Sequence, residues 1–219
     1  WIDARTDEQL FRGSIGNDPS LADVIRMVHP KPTTPARTAL FAYLIGKPFD
    51  AAALPQLVKS FEAFKANPSM FGAADVPKVP MEMLTALPLE AAHWKSLANE
   101  ASWQGLRMNL NSFARHGVFK DESCVSAAAS KLRDRQSIAQ ARAFPYQLMA
   151  AFTNTGDSVP VQIKNALQDA METAIDNVPE IDGKVWVFPD VSGSMQSPVT
   201  GHRTGATSKI RCIDVAALV

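Results

Sequence analysis

Up to about residue 177, apolar positions recur every three or four residues, the spacing that gathers them on one face of an α-helix. Asn17-Asp18-Pro19-Ser20 reads as a turn and cap, followed by Leu21, Val24, Ile25 and Val28 at helical spacing. After a break at His29-Pro30-Lys31-Pro32, Thr34-Pro35 opens a second helix, with threonine as cap and proline at the first helical position. Its apolar face is Leu40, Phe41, Leu44 and Ile45, and Gly46 ends it. A third helix is predicted over 51–66, with Leu54, Leu57, Val58, Phe61 and Phe64 facing inward. Residues 67–80, with Pro68, Gly72, Pro77 and Pro80, form a loop. Helical patterns resume over 81–87, 89–100, 102–115 and 122–132, a further start lies at Ala143-Phe144-Pro145-Tyr146, and 159–175 carries the last long amphipathic helix. Short helices joined by proline-rich turns suit a helical-repeat solenoid, in which each pair buries its face against its neighbours. No strict sequence period supports this, so the reading rests on the order of elements.

The pattern changes at Asp182-Gly183. Lys184-Val185-Trp186-Val187-Phe188 is a short β-rich apolar run, which predicts a strand buried on both faces. A polar loop through about Ser208 and a helix beginning over 209–213 follow. Strand, hydroxyl-rich loop and helix make the opening unit of a doubly wound α/β domain, with a boundary near 181. The chain thus reads as mainly α, a helical-repeat module over 1–180 followed by the first β-α unit of an α/β domain over 181–219. Trp1 at the start and an apolar helical run still in progress at Val219 predict an internal piece of a longer chain.

Composition narrows the class of partner. Hydrophobic residues make up 46% and charged residues 20%, too apolar for disorder. No apolar run reaches the roughly 20 residues that cross a bilayer, and Trp1-Ile2-Asp3-Ala4-Arg5 lacks the pattern of a secretory leader, so membrane and export readings are set aside. Cys124 and Cys212 have no metal-ligand spacing and read as small buried hydrophobes in a reducing, cytoplasmic compartment. The net charge of zero hides an asymmetry. Residues 101–150 hold seven Lys/Arg (Arg107, Arg115, Lys120, Lys131, Arg133, Arg135 and Arg142) against three acidic residues, giving +4, whereas 151–219 hold five against eight, giving −3. The basic excess suits a polyanion and the acidic excess suits a cation.

Asp190-x-Ser192-x-Ser194, at the carboxyl end of the predicted strand, is the most specific motif. A carboxylate and two hydroxyls on alternate residues can converge on one hard cation such as Mg²⁺, with Gly193 permitting a tight turn. The alternative is a polar turn that holds no metal. An aspartyl-phosphate phosphatase would need a second aspartate at position 192, which is Ser192, so that chemistry is excluded. Nor does the chain show nucleophile–base pairing, a phosphate-cradling glycine loop, zinc spacing or the paired acidic clusters of a nuclease. His29, His93, His116 and His202 are scattered. The expectation is a protein that is not an enzyme.

The stretch from Val24 to Pro32, Ala39-Leu-Phe-Ala-Tyr-Leu-Ile-Gly46, Trp103-Gln-Gly-Leu-Arg-Met-Asn-Leu110 and Ala141-Arg-Ala-Phe-Pro-Tyr146 together resemble the TROVE module of telomerase-associated, Ro and vault proteins, in wording nearer its bacterial members. Asp190-x-Ser192-x-Ser194 resembles the metal-ion-dependent adhesion site of von Willebrand factor A domains, and the order of the two is that of Ro proteins. The resemblance implies a ring of HEAT-like helical repeats closed by an A domain. It implies binding of small structured noncoding (Y-like) RNAs and of single-stranded 3′ ends of misfolded RNAs, alongside a nuclease or other processing protein, with no DNA partner. Carried over by position, His29 is an RNA-contacting residue and Arg12 a basic contact, although Phe11–Asn17 is otherwise poor in charge. Arg107, Arg115, His116, Lys120 and Arg142 are added from the basic segment on charge alone. Ser192 and Ser194 bind Mg²⁺ directly in the resemblance, and Asp190 directly or through water; the family's later threonine and aspartate ligands cannot be assigned, Thr204 and Thr207 coming too early. The competing reading from another class is a metal-dependent protein-interaction module built on the A domain.

Overall fold

The computed structural model describes residues 1–199, 201 and 209–218; Thr200, 202–208 and Val219 lie outside the description, and with them His202, Thr204 and Thr207. The described residues form twelve α-helices in two compact units, Trp1–His93 and Trp94–Val219. This division is a different feature from the domain boundary that composition places near 181.

The first unit holds α1 (Asp7–Arg12), α2 (Leu21–Val28), α3 (Pro35–Leu44) and α4 (Gln56–Ala66), and α5 (Ala91–Glu100) begins at its end. Side-chain caps start the first three helices, of which α2 and α3 begin where the sequence predicts and α1 was not foreseen. Thr6 and Gln9 form a reciprocal capping box on α1, Ser20 caps α2, and Thr34 caps α3 with Pro35 at the first position. The predicted helix over 51–66 is divided, because Pro55 has no N–H to give: Ala51–Ala53 make a 3-10 turn and α4 starts at Gln56. Similarly, 81–87 yields only a 3-10 turn over Met81–Met83. Leu10, Phe11, Leu40, Val58, Phe64 and Leu84 are fully buried, and Phe11 meets the edge of Phe61 at 5.5 Å between centroids. Arg37 Nε donates to Asp7 Oδ1 at 2.7 Å, a part-buried pair that ties α3 to α1. The buried His93 is satisfied: its Nδ1 accepts from the Glu90 N–H at 3.1 Å, which leaves Nε2–H to donate to the Phe71 carbonyl at 2.8 Å.

The second unit contains the rest of α5, then α6 (Trp103–Met108), α7 (Leu110–Arg115), α8 (Glu122–Arg133), α9 (Arg135–Ala141), α10 (Pro145–Asn154), α11 (Val161–Thr173) and α12 (Cys212–Ala216). Its centre is α11, which packs on α8 and α10. Ile163, Ala166, Leu167 and Ala170 on α11, Leu132 on α8 and Leu148 on α10 are fully buried. The alanines Ala128, Ala129, Ala166 and Ala170 keep these helix surfaces small, which shortens the distance at which helices can pack. Trp103 Nε1 donates to the Leu132 carbonyl at 3.1 Å, so the indole is both packed and satisfied. The single helix predicted over 102–115 is two, separated at Asn109, whose φ of −112° and ψ of 14° depart from helical values.

Two further features depart from the sequence pattern. Val28, which helical spacing groups with Leu21, Val24 and Ile25, is 64% exposed. Residues 184–188, predicted as a buried strand, form no ladder, and Trp186 and Phe188 are 78% and 86% exposed. A strand persists only where a neighbouring backbone takes up its N–H and C=O groups, and no described segment lies beside this one in that role. The bridge found nearby, Pro198 with Arg211, is isolated and antiparallel. It accompanies α12, the helix expected after the polar loop.

Among the described residues, two other than glycine have positive φ: His29 (49°) and Arg142 (47°), the left-handed caps that end α2 and α9. Such a conformation disfavours any residue with a Cβ. Arg142→Gly is therefore expected to raise unfolding free energy by roughly 0.5–1 kcal/mol, read from the midpoint of urea unfolding. A lowered midpoint would mean that the Arg142 side chain supports the fold.

Candidate nucleic-acid interface

The seven cations of 101–150 divide into two groups once their partners are known. Arg107 Nη1 donates to the Gln147 carbonyl at 2.7 Å, its guanidinium lies over the Trp103 ring at 5.8 Å, and burial lowers its pKa, partly opposed by Tyr146. Its Nε is buried without a partner among the described residues. This arginine fastens α6 to α10, which leaves it less available to a ligand than an exposed cation. Lys131 Nζ donates to the carbonyls of Asn99 and Ala101 at 2.7 and 2.9 Å. Arg133 pairs with Asp169 at 2.5 Å, and Arg135 with Asp176 at 2.9 Å.

Arg115, Lys120 and Arg142 remain. All three are exposed, and their side chains have no hydrogen-bond or ion-pair partner among the described residues. Arg115 closes α7, and Lys120 follows it through the left-handed turn at Gly117 (φ 76°), with its aliphatic stem 3.6 Å from where a Cβ on that glycine would lie. His116, between them, is also exposed and lies flat on Trp94, ring centroids 4.0 Å apart and planes 6° off parallel. The neighbouring acid is already engaged. Asp121 accepts from Lys95 Nζ at 2.8 Å and from the Ser123 N–H and hydroxyl. These bonds, that from Lys95 foremost, pull its pKa down to about 2.

In the first unit, His29 is exposed and its backbone N–H returns to the Ile25 carbonyl, so it serves as the cap of α2. Being a cap leaves the imidazole available. Arg12 is less so, because its Nε donates to the Lys78 carbonyl at 2.8 Å and Nη2 reaches Glu8 at 3.4 Å.

At the other motif, the Ser192 N–H donates to Asp190 Oδ1 at 2.8 Å, and this bond is the first cause holding the carboxyl below its ordinary pKa. The Ser192 and Ser194 hydroxyls lie 2.9 Å apart. That separation is a hydrogen bond between the two hydroxyls, and it is also close to the roughly 3.0 Å between adjacent oxygens of an octahedron with metal bonds near 2.1 Å. All three residues are exposed, and no group of three or more His, Cys, Asp or Glu that could hold a metal occurs among the described residues. A Cβ on Gly193 would meet nothing within 4 Å, and the residue opens a 3-10 turn, so the glycine is not what makes this loop possible.

Comparison with solved structures places this architecture. The crystal structure of the Deinococcus radiodurans RO (RSR) protein matches over 81% of this chain with a TM-score of 0.55 and 22% identity. The fold is Ro-like. This chain spans 40% of that protein's length. No protein-family profile matches the sequence, and no curated protein matches it. At this identity the likeness concerns the mainly helical fold, and the α/β unit expected over 181–219 is not part of what it shows.

Sequence reasoning missed Trp94. It lies 22 residues from His116, and no local spacing connects an indole on α5 with a histidine at the end of α7. It also overcounted the free cations, because charge alone does not reveal which arginines find carbonyls or carboxylates inside the unit. Finally, no helix of the described residues is long and apolar enough to cross a membrane.

Proposed function

We propose that this chain is the RNA-holding part of a Ro-type protein of the cytoplasm. It binds small structured noncoding RNAs and the single-stranded 3′ ends of misfolded or immature RNAs. It acts without catalysis, as a ribonucleoprotein scaffold in RNA quality control together with processing enzymes. The observation that carries this reading is the Ro-like helical fold with Arg115, Lys120 and Arg142 left exposed and unpaired. Phosphate affinity comes from cations not already neutralised by the protein's own carboxylates, and arginine can both fork onto phosphate and stack on bases. His29 joins them as the contact implied by the TROVE resemblance.

In the same reading, residues 181–219 begin a von Willebrand A domain, and Asp190, Ser192 and Ser194 hold Mg²⁺. The hydroxyl spacing of 2.9 Å beside an ionised carboxylate supports that assignment. It is also what favours the second reading, a metal-dependent module that captures a protein carboxylate.

The test is a filter-binding titration of the full-length protein with a structured RNA, with and without a single-stranded 3′ tail. Tail-dependent binding, weakened on His29→Ala and in the triple variant Arg115→Ala/Lys120→Ala/Arg142→Ala but not by Arg107→Met, is the expected result. Absence of binding at low salt would remove the RNA reading and leave the metal loop as the functional centre.

A further inference from the structure

We propose that His116, clamped on Trp94, is a stacking platform for one base of single-stranded RNA. The inference rests on the RNA-binding reading above and assigns it a contact of a different kind from phosphate binding. Trp94 is 3% exposed, and Phe113 meets its edge at 6.3 Å between centroids. The indole is thus a fixed floor. His116 covers it at van der Waals distance with nearly parallel rings, whereas its own residue surface is exposed. One face of the imidazole is occupied by tryptophan, and with the residue exposed the opposite face is the one a base would meet. The side chain has no hydrogen-bond partner and no second aromatic partner among the described residues.

Three features suit this ring to a nucleobase. Stacking on an exposed π-face is the general means by which proteins hold single-stranded nucleic acid without reading sequence. The stack beneath fixes the imidazole rotamer in advance, so binding need not order a mobile side chain. The flanking cations Arg115 and Lys120, immediately before it and four residues after, are unpaired and can take the phosphates on either side of a stacked base. The edge nitrogens add hydrogen-bonding capacity toward base or ribose. A histidine serving only as a lid over the tryptophan would need neither the free outer face nor the cations beside it.

The experiment is fluorescence anisotropy of labelled single-stranded oligoadenylate and oligouridylate with the full-length protein, comparing wild type, His116→Ala and His116→Phe. Thermal unfolding of each variant checks that it folds. Alanine removes the platform and is expected to weaken binding roughly ten-fold, whereas phenylalanine, which retains a flat stacked ring, should bind within about two-fold of wild type. A 4-thiouridine probe should crosslink at position 116 on irradiation. If wild type binds RNA, the Arg115/Lys120/Arg142 triple variant loses binding and His116→Ala binds as wild type does, the platform is wrong and the RNA reading stands. Equal weakening by alanine and phenylalanine in folded variants also overturns it, because the imidazole would then act through its nitrogens rather than its face. If wild type binds neither oligonucleotide, the RNA reading fails and the platform fails with it.

Discussion

Leu167→Ala is expected to lower unfolding free energy by about 3 kcal/mol, a large share of the stability of a domain this size. The side chain is fully buried on α11, the helix that packs on both α8 and α10, and Ile163, Ala166 and Ala170 on the same face are equally enclosed. Truncation removes apolar surface from a packed interior. It also leaves a cavity that alanine-rich neighbours, having no flexible side chains to move, cannot refill. Val161→Ala on the same helix, 71% exposed, is the matched control and should change stability by less than about 0.5 kcal/mol. Urea unfolding of the two variants checks the pair; equal effects would mean that α11 is not the centre of the second unit.

Raising monovalent salt from about 50 to about 200 mM is expected to weaken single-stranded RNA binding about twenty-fold, if three phosphates are neutralised by Arg115, Lys120 and Arg142. Counterion release gives a slope near −0.7 per phosphate contact on a single strand. Counting all seven cations of 101–150 would predict a slope more than twice as steep. The smaller value follows because Arg107, Lys131, Arg133 and Arg135 are already engaged by carbonyls and carboxylates of the same chain. The measured slope therefore distinguishes the charge count of the sequence from the partner count of the structure. In the triple alanine variant the salt dependence should nearly vanish. A slope unchanged by those substitutions would place the phosphate contacts elsewhere.

The helix starts were legible in the sequence wherever a cap and a proline stood together, as at Thr34-Pro35, because those signals act within one turn of chain. Helix interruptions were less so. The break at Asn109 uses a residue that also occurs inside helices, and there its side-chain amide returns to the Gly105 carbonyl at 2.9 Å. Helix α9 escaped notice because Arg135–Ala141 has a single fully buried apolar residue, Ile138, too few to show a period. The run at 184–188 illustrates the opposite case. Val185, Trp186, Val187 and Phe188 carry strong β preference, but preference alone does not supply a neighbouring strand.

The sequence by itself determined the mainly helical class, most helix starts, the basic middle segment and the alternating Asp190, Ser192 and Ser194, all matters of local spacing. Only the tertiary structure decided which charges remain free, that His29 and Arg142 sit in left-handed caps, and that His116 rests on Trp94. The reason is physical: helix periodicity and capping act over a few residues, whereas ion pairing, burial and ring stacking join side chains tens of residues apart, whose meeting is set by how the helices pack.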